Sequence, residues 1–325
     1  MKAIIFSDLH VHLYKAFADG YSRLNNTLKV IRIIYAYADK KGIDIILFPG
    51  DLYDNPKLLP TAAVNMLIST FLEMEKKYPK IKFIAISGNH DHATKNLVNA
   101  CAITALTHLH DVCTNFTLLD NQVIRLGSNV YIHGVPYYEY PEHYHTMLKE
   151  RAELITVEDH TVHLLMMHQT PSNMGNDSIP VDTDINDPLY DKFDYVFDGH
   201  IHKHMQLSEK FVVVGSPIHR SLEDEGVDKG FLVMDLTSPK DGYTFISLNK
   251  KFPEFKRRVV GTLLEEGEEN DYIVWSQPVT ESMAEVNASV EQFQAGLSRE
   301  ELLENYWKAV EGKDKELLTV GLKFI

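Results

Sequence analysis

The chain has 325 residues, 44% hydrophobic and 24% charged, which is the balance of an ordinary globular protein able to bury a sizeable core. Its 46 acidic and 32 basic residues give a formal charge of -14, which argues against nucleic-acid binding over a broad basic surface, and no apolar run reaches the roughly 18 residues that a membrane span needs. The opening MKAIIFSDLH has too short an apolar stretch for a signal peptide and meets an acid and a histidine at once, so a cytoplasmic protein is expected.

Residues 2–7 (KAIIFS) read as a short buried strand. The strand runs into SDLHVHL, which carries two metal-competent patterns, Asp8-x-His10 and His10-x-His12. The second would suit an amidohydrolase or a PHP-type phosphoesterase, and these seven residues alone do not decide between them. Residues 22–41 place Leu24, Leu28, Ile31, Ile34 and Tyr35 at helical spacing, with Gly42 as a stop. IDIILFPGD then reads as a second buried strand, residues 60–77 as a helix, and KIKFIAISGNHD as a third strand. Cys101 and Cys113 lack the C-x2-C spacing of a zinc site and read as reduced, packed residues.

Beyond this β-α-β-α-β start, short strands are expected at VYIHGVP, VHLLMMHQ, FDYVFDGH, FVVVGSP and GFLVMDL, with a helix around residues 141–155. The layout suggests a mixed sheet sandwiched by helices rather than a TIM barrel. After about residue 250 the chain becomes more charged, with KKFPEFKRR, the polar EEGEEN, a strand-like DYIVW and a helical SREELLENYWKAVEG. Ser298 and Glu301 form a capping box at the start of that last segment.

Polar residues gather where the strands end: Asp8-x-His10, Gly50-Asp51-x-x-Asp54, Gly88-Asn89-His90-Asp91, His168 and Gly199-His200-x-His202. Open α/β sheets place their ligands there. A binuclear site needs a bridging carboxylate, further oxygen and nitrogen donors, and an open face for water and phosphate. Asp51 is the natural bridge; Asp8, His10 and His202 complete one ion, and Asn89, His168 and His200 the other.

D-x-H, GDxxD, GNHD, a lone histidine after an apolar strand and GHxH, in that order, resemble the calcineurin-like metallophosphoesterase superfamily. The resemblance selects Asp8 and His10 and leaves His12 without an assigned role. It implies an α/β fold, a mixed β-sheet sandwich flanked by helices, with a small C-terminal α+β appendage. It also implies two divalent ions, manganese foremost, with Mg, Fe, Co or Zn as the other candidates. His90 is expected to be catalytic, protonating the leaving oxygen or stabilising charge. In the superfamily its supporting carboxylate is the second aspartate of GDxxD, here Asp54; Asp91 is the alternative and reads equally well as a loop cap.

Two features resemble the SbcD-type DNA repair and recombination nucleases in their compact, phage-like form. Residues 215–236, GSPIHRSLEDEGVDKGFLVMDL, match the segment that follows GHxH in those enzymes, and about 75 residues continue past the catalytic core. The resemblance divides the chain into a nuclease domain, 1–250, and a capping and partner-binding region, 251–325. It implies duplex-end exonuclease and single-strand endonuclease activity, a homodimer, and a partner of the SbcC-type coiled-coil ABC ATPase class. That partner would supply part of the DNA surface this acidic chain lacks. Lys256, Arg257 and Arg258 are the densest basic cluster and the candidate DNA contacts. Leu302, Leu303, Tyr306, Trp307 and Val310 form an apolar stripe on the last helix, where Leu303 and Trp307 are candidate partner contacts. A small-molecule phosphodiesterase or phosphatase of the same superfamily is the alternative.

Overall fold

A computed structural model of the chain describes residues 1–96, 103–155, 161–172, 183–260 and 262–276. The first half alternates β1 (Lys2–Ile5), α1 (Ser22–Lys41), β2 (Ile45–Pro49), α2 (Thr61–Lys77), β3 (Lys82–Ile86), α3 (Thr107–Val112) and β4 (Phe116–Leu118). Then come β5 (Val123–Leu126), β6 (Val130–Val135), α4 (Pro141–Glu153), β7 (Val162–Met167), β8 (Tyr195–Asp198), β9 (Met205–Gln206), β10 (Phe211–Val213), β11 (Gly230–Asp235) and β12 (Tyr243–Ser247). β13 (Phe255–Val259) and β14 (Tyr272–Ser276) form a separate two-stranded sheet.

Two six-stranded sheets build the body, in the orders β12-β11-β1-β2-β3-β4 and β5-β6-β7-β8-β10-β9. In the first, β1 to β4 run parallel and β11 and β12 close one edge antiparallel. In the second, β6, β7, β8 and β10 run parallel, with antiparallel β5 and β9 at the edges.

Strand alternation explains the layering, because successive side chains point to opposite faces. On β1, Ala3 and Ile5 turn into the core between the sheets, where they meet Ile132, Leu164, Met166 and Phe197 of the second sheet. Ile4 and Phe6 turn the other way, against Leu24, Ile31 and Ile34 of α1 and Phe71 of α2. A third core lies under α4, where Tyr144 and Leu148 cover Leu165, Met167 and Val196. Strands buried on both faces read as continuous apolar runs, as IIF, IILF and LLMM do.

The expected helices at 22–41, 60–77 and 141–155 are present as α1, α2 and α4. The structure adds α3, β4, β5, β9, β12 and β13, which the sequence does not announce; all are two to six residues long, too short for a strong period. By its contacts the chain divides into two units. The first is Met1–Lys256 with Gly267–Ile273, and the second takes Arg257–Glu266 and the residues from Val274. Cys113 is free and buried; Cys101 lies outside the described residues, as does the apolar stripe with Leu303 and Trp307. Among the described residues no helix is long and apolar enough to cross a membrane.

Candidate metal centre

The C-terminal ends of β1, β2 and β3 from one sheet and of β7 and β8 from the other meet, and each delivers one of the motifs. The turns that do this are tight. Asp8, His10, Asp51 and His200 have φ of 55°, 48°, 60° and 71°, left-handed conformations that side-chain-bearing residues seldom adopt. Backbone bonds hold them: Asp8 N–H donates to Gly50 (3.0 Å), His10 N–H to Asp51 (3.1 Å) and Val11 N–H to Leu52 (2.7 Å). Gly88 is required because a Cβ there would overlap the Asp51 carboxylate, and Gly50 because it has φ 93° and packs against the His168 ring.

All seven expected ligands come together. Asp8, His10 and His202 place donor atoms within 4.8 Å of one another, and so do Asp51, His168 and His200. Asp51 Oδ2 is 3.4 Å from His10 Nε2 and 3.2 Å from His168 Nε2, so one carboxylate serves both groups. Asn89 Oδ1 lies 3.1 Å from His168 Nε2 and 2.9 Å from His200 Nδ1.

The chemistry of this donor set calls for cations. His168 Nδ1 is 2.7 Å from the Pro49 carbonyl, which only accepts, so Nδ1 carries a hydrogen. The lone pair of a neutral ring would then sit on Nε2, facing Asp51 Oδ2 and Asn89 Oδ1, both acceptors. Burial alone would lower the His168 pKa, but the Asp51 charge overrides it and lifts the ring to about 10. Asp8 Oδ1 and both His10 ring nitrogens are buried without a hydrogen bond. Asp8 is held at about 2: its burial works to raise it, but the neighbouring His10, His168 and His202 rings outweigh that. Oxygen and imidazole donors in two triads, with the Asp51 carboxylate facing both, fit a pair of divalent ions.

His90 stands beside this centre. Its ring packs edge-on to His10, with centroids 4.7 Å apart, and one of its nitrogens also falls within a group formed with His10 and Asp51. Nδ1 donates to the Asp54 backbone carbonyl at 2.5 Å, which leaves Nε2 as the reactive atom. The expected support by the Asp54 carboxylate takes a different form: that carboxylate accepts from Tyr14 (2.6 Å) and Arg220 (2.6 Å) and lies 3.4 Å from His10 Nδ1. Asp91 reads as the loop cap. Its carboxylate accepts from the N–H groups of Asp51, Leu52, Tyr53 and Gly88, tying the β2 turn to the β3 turn. His12 has its Nδ1 buried without a partner and packs on Tyr14.

The segment 215–229 closes the centre on the His202 side. Lys229, buried with Asp224, donates to the His202 carbonyl (2.8 Å) and to Ser216 Oγ (2.9 Å). Asp224 in turn accepts from the Arg220 N–H at 2.7 Å. Arg220 Nη1 lies 3.1 Å from His202 Nε2. Sequence reasoning gives Arg220 and Tyr14 no role; neither belongs to a strand-end motif, and Arg220 stands 166 positions from the Asp54 it bonds.

Asn89 also lines a cleft of about 420 Å³ with Lys57, His92, Lys95 and Tyr137. The Tyr137 ring stacks on His200 at 5.8 Å. Among the candidate DNA contacts, Lys256 is paired with Asp271 (2.8 Å) and Glu268 (3.2 Å), and Arg257 and Arg258 belong to the second unit.

The model of the calcineurin-like phosphoesterase family matches residues 1–204, a span that holds every strand-end motif. No curated protein matches the chain. Among solved structures it is similar to TT1561 of Thermus thermophilus, at 13% identity and TM-score 0.46, covering 76% of this chain and 98% of that one. A dimetal phosphatase from Danio rerio aligns at 10% identity and TM-score 0.48, over 71% of this chain and 91% of its own. Nuclease MPE of Pseudomonas putida aligns at 12% identity and TM-score 0.28, over 65% and 66%.

Proposed function

The chain belongs to the calcineurin-like phosphoesterase family, a metal-dependent phosphoesterase by its motifs, and on that premise we propose that it is a manganese-dependent DNA nuclease. The observation that carries a diesterase reading is the pair of donor triads, one holding Asp51 and the other 3.4 Å from it through His10, with His90 alongside and Asn89 on the wall of a cleft that also holds Lys57 and Tyr137. Asp8, His10 and His202 would hold one ion, Asn89, His168 and His200 the other, and Asp51 would bridge them. When bound, the ions supply Lewis-acid polarisation of the phosphoryl group and lower the pKa of water. His90 orients its Nε2 through the Asp54 carbonyl and delivers a proton to the leaving oxygen. The cleft has room for the chain on one side of a scissile phosphate and carries Lys57, its Lys95 being paired with Glu139 at 2.6 Å, and Tyr137 lines it as an aromatic surface.

DNA as the substrate, and an SbcC-type coiled-coil ABC ATPase as partner to a homodimer, are supported by the GSP-to-KGF segment. Its Ser216 and Lys229 bond the His202 carbonyl and its Asp224 anchors Lys229, so the residues that carry the likeness are built in beside the centre. The reading places DNA contact on Lys256, Arg257 and Arg258 and on the partner, with Lys256 paired to Asp271 and Glu268. The test is incubation of the purified chain and manganese with linear duplex DNA, bis-p-nitrophenyl phosphate and mononucleotides. Cleavage of DNA and the diester supports a nuclease; turnover of mononucleotides alone would make it a small-molecule phosphatase.

A further inference from the structure

Arg220 enters the centre from a loop fixed at both ends. Its Nη2 donates to Asp54 Oδ1 (2.6 Å) and to the Tyr14 hydroxyl (2.8 Å), its own N–H is held by Asp224, and Asp224 is anchored by buried Lys229. Its Nη1 lies 3.1 Å from His202 Nε2. A guanidinium has no lone pair to offer, so the imidazole is the acceptor in this contact. The same Nε2 is the atom 4.0 Å from Asp8 Oδ1, on the face where Asp8, His10 and His202 converge. One lone pair cannot serve both an arginine and an ion.

We infer that Arg220 is a phosphate-binding residue armed by metal loading: when His202 turns its Nε2 lone pair to an ion, Nη1 loses its acceptor and its N–H is left for a phosphoryl oxygen of the substrate. This rests on the metal-centre reading above. Asp54 and Tyr14 keep hold of Nη2 throughout, so the guanidinium stays in place while one donor changes partner. An arginine held this way loses little side-chain freedom when phosphate arrives, and its planar fork suits an oxyanion. In metal-free protein this Nη1 N–H stays on His202, so phosphate meets one donor fewer. Ion binding therefore strengthens phosphate binding, and neither Tyr14 nor Asp54 need touch substrate to matter: they are positioning residues for Arg220.

The test is two titrations by calorimetry on the full chain, of manganese into metal-free protein and of inorganic phosphate into manganese-saturated protein. Arg220→Gln should bind manganese at least as tightly as the parent, since the competing donor on His202 is gone. It should bind phosphate about tenfold more weakly, the loss expected for one charge-assisted hydrogen bond. The KM for bis-p-nitrophenyl phosphate should rise more than kcat falls. Weaker manganese binding with unchanged phosphate binding would mean that Arg220 only props His202, and would overturn the inference. If Arg220→Gln does not fold, Arg220→Lys carries the same two titrations, with phosphate binding again weakened and manganese binding kept. A parent chain that binds no manganese would instead remove the metal centre itself, and this inference with it.

Discussion

At the scale of the residue, the centre assigns different fates to groups only a few ångströms apart. Asp51 faces both triads, so Asp51→Asn should lose bound metal and activity together. His90 spends one nitrogen on the Asp54 carbonyl, so His90→Ala should keep its metal while activity falls by about two to four orders of magnitude, the range for a lost general acid. Metal analysis beside diester hydrolysis checks both; a His90 variant stripped of metal would make it a ligand, in the group it forms with His10 and Asp51. His168 adds a pH dependence with a definite sign. Its metal-free pKa is raised to about 10, so at neutral pH the ring carries a proton that coordination through Nε2 must expel. Metal affinity should therefore rise with pH, by about tenfold per unit for one released proton, and level off only near pH 10. The same raised pKa means that His168 stabilises the metal-free fold fully below its ordinary value of 6.5 and loses that contribution as pH climbs to about 10. Calorimetry in buffers of different ionisation enthalpy counts the proton directly.

At the scale of the element, the strand ends are legible because each apolar run stops at residues that cannot be buried unpaired. IIF before SDLH, IILF before GD and LLMM before HQ announce both a central strand and a polar terminus. Contacts made by loops that follow no period cannot be read this way. The motif leads one to expect that Asp54 steers His90 with its side chain, yet it does so with its carbonyl, while its carboxylate goes to Arg220 and Tyr14. Backbone carbonyls look alike at every position of a sequence, so only the fold shows which one faces a given ring. β4 and β5 escape a sequence reading for a related reason: three or four residues at a sheet edge carry too little pattern. The tight turns make their own prediction. A Cβ at Gly88 would overlap the Asp51 carboxylate, so Gly88→Ala should destabilise the fold by about 1–3 kcal/mol and release metal. Denaturant titration with parallel metal analysis reads both; a variant of full stability and full metal content would mean the turn has slack. Lys229→Met is expected to cost about 3–5 kcal/mol, since it strands the buried Asp224 charge.

At the scale of the molecule, all the motif residues lie in the first unit, within Met1–Lys256. A chain ended after Ser276 should therefore still hydrolyse bis-p-nitrophenyl phosphate, whereas, if the proposed SbcC-type ATPase is the partner, the stripe carrying Leu303 and Trp307 should be needed to retain it. Pull-down beside the diester assay separates the two; an inactive truncation would show that the stripe completes this protein's own core. Chelation should abolish activity, and manganese should restore it better than magnesium, because imidazole donors favour first-row ions while magnesium prefers an all-oxygen shell. Equal rates with the two ions would count against the donor set as assigned. Finally, the proposed ligands come from both sheets, Asp8, His10, Asp51 and Asn89 from one and His168, His200 and His202 from the other. An ion pair held among them is a clasp across the sandwich, and a clasp can fasten only after its two halves have met. In stopped-flow experiments, manganese should slow unfolding and leave the refolding limb where it stands in chelator, so that the bound ions govern how long the native protein lasts rather than how quickly it forms.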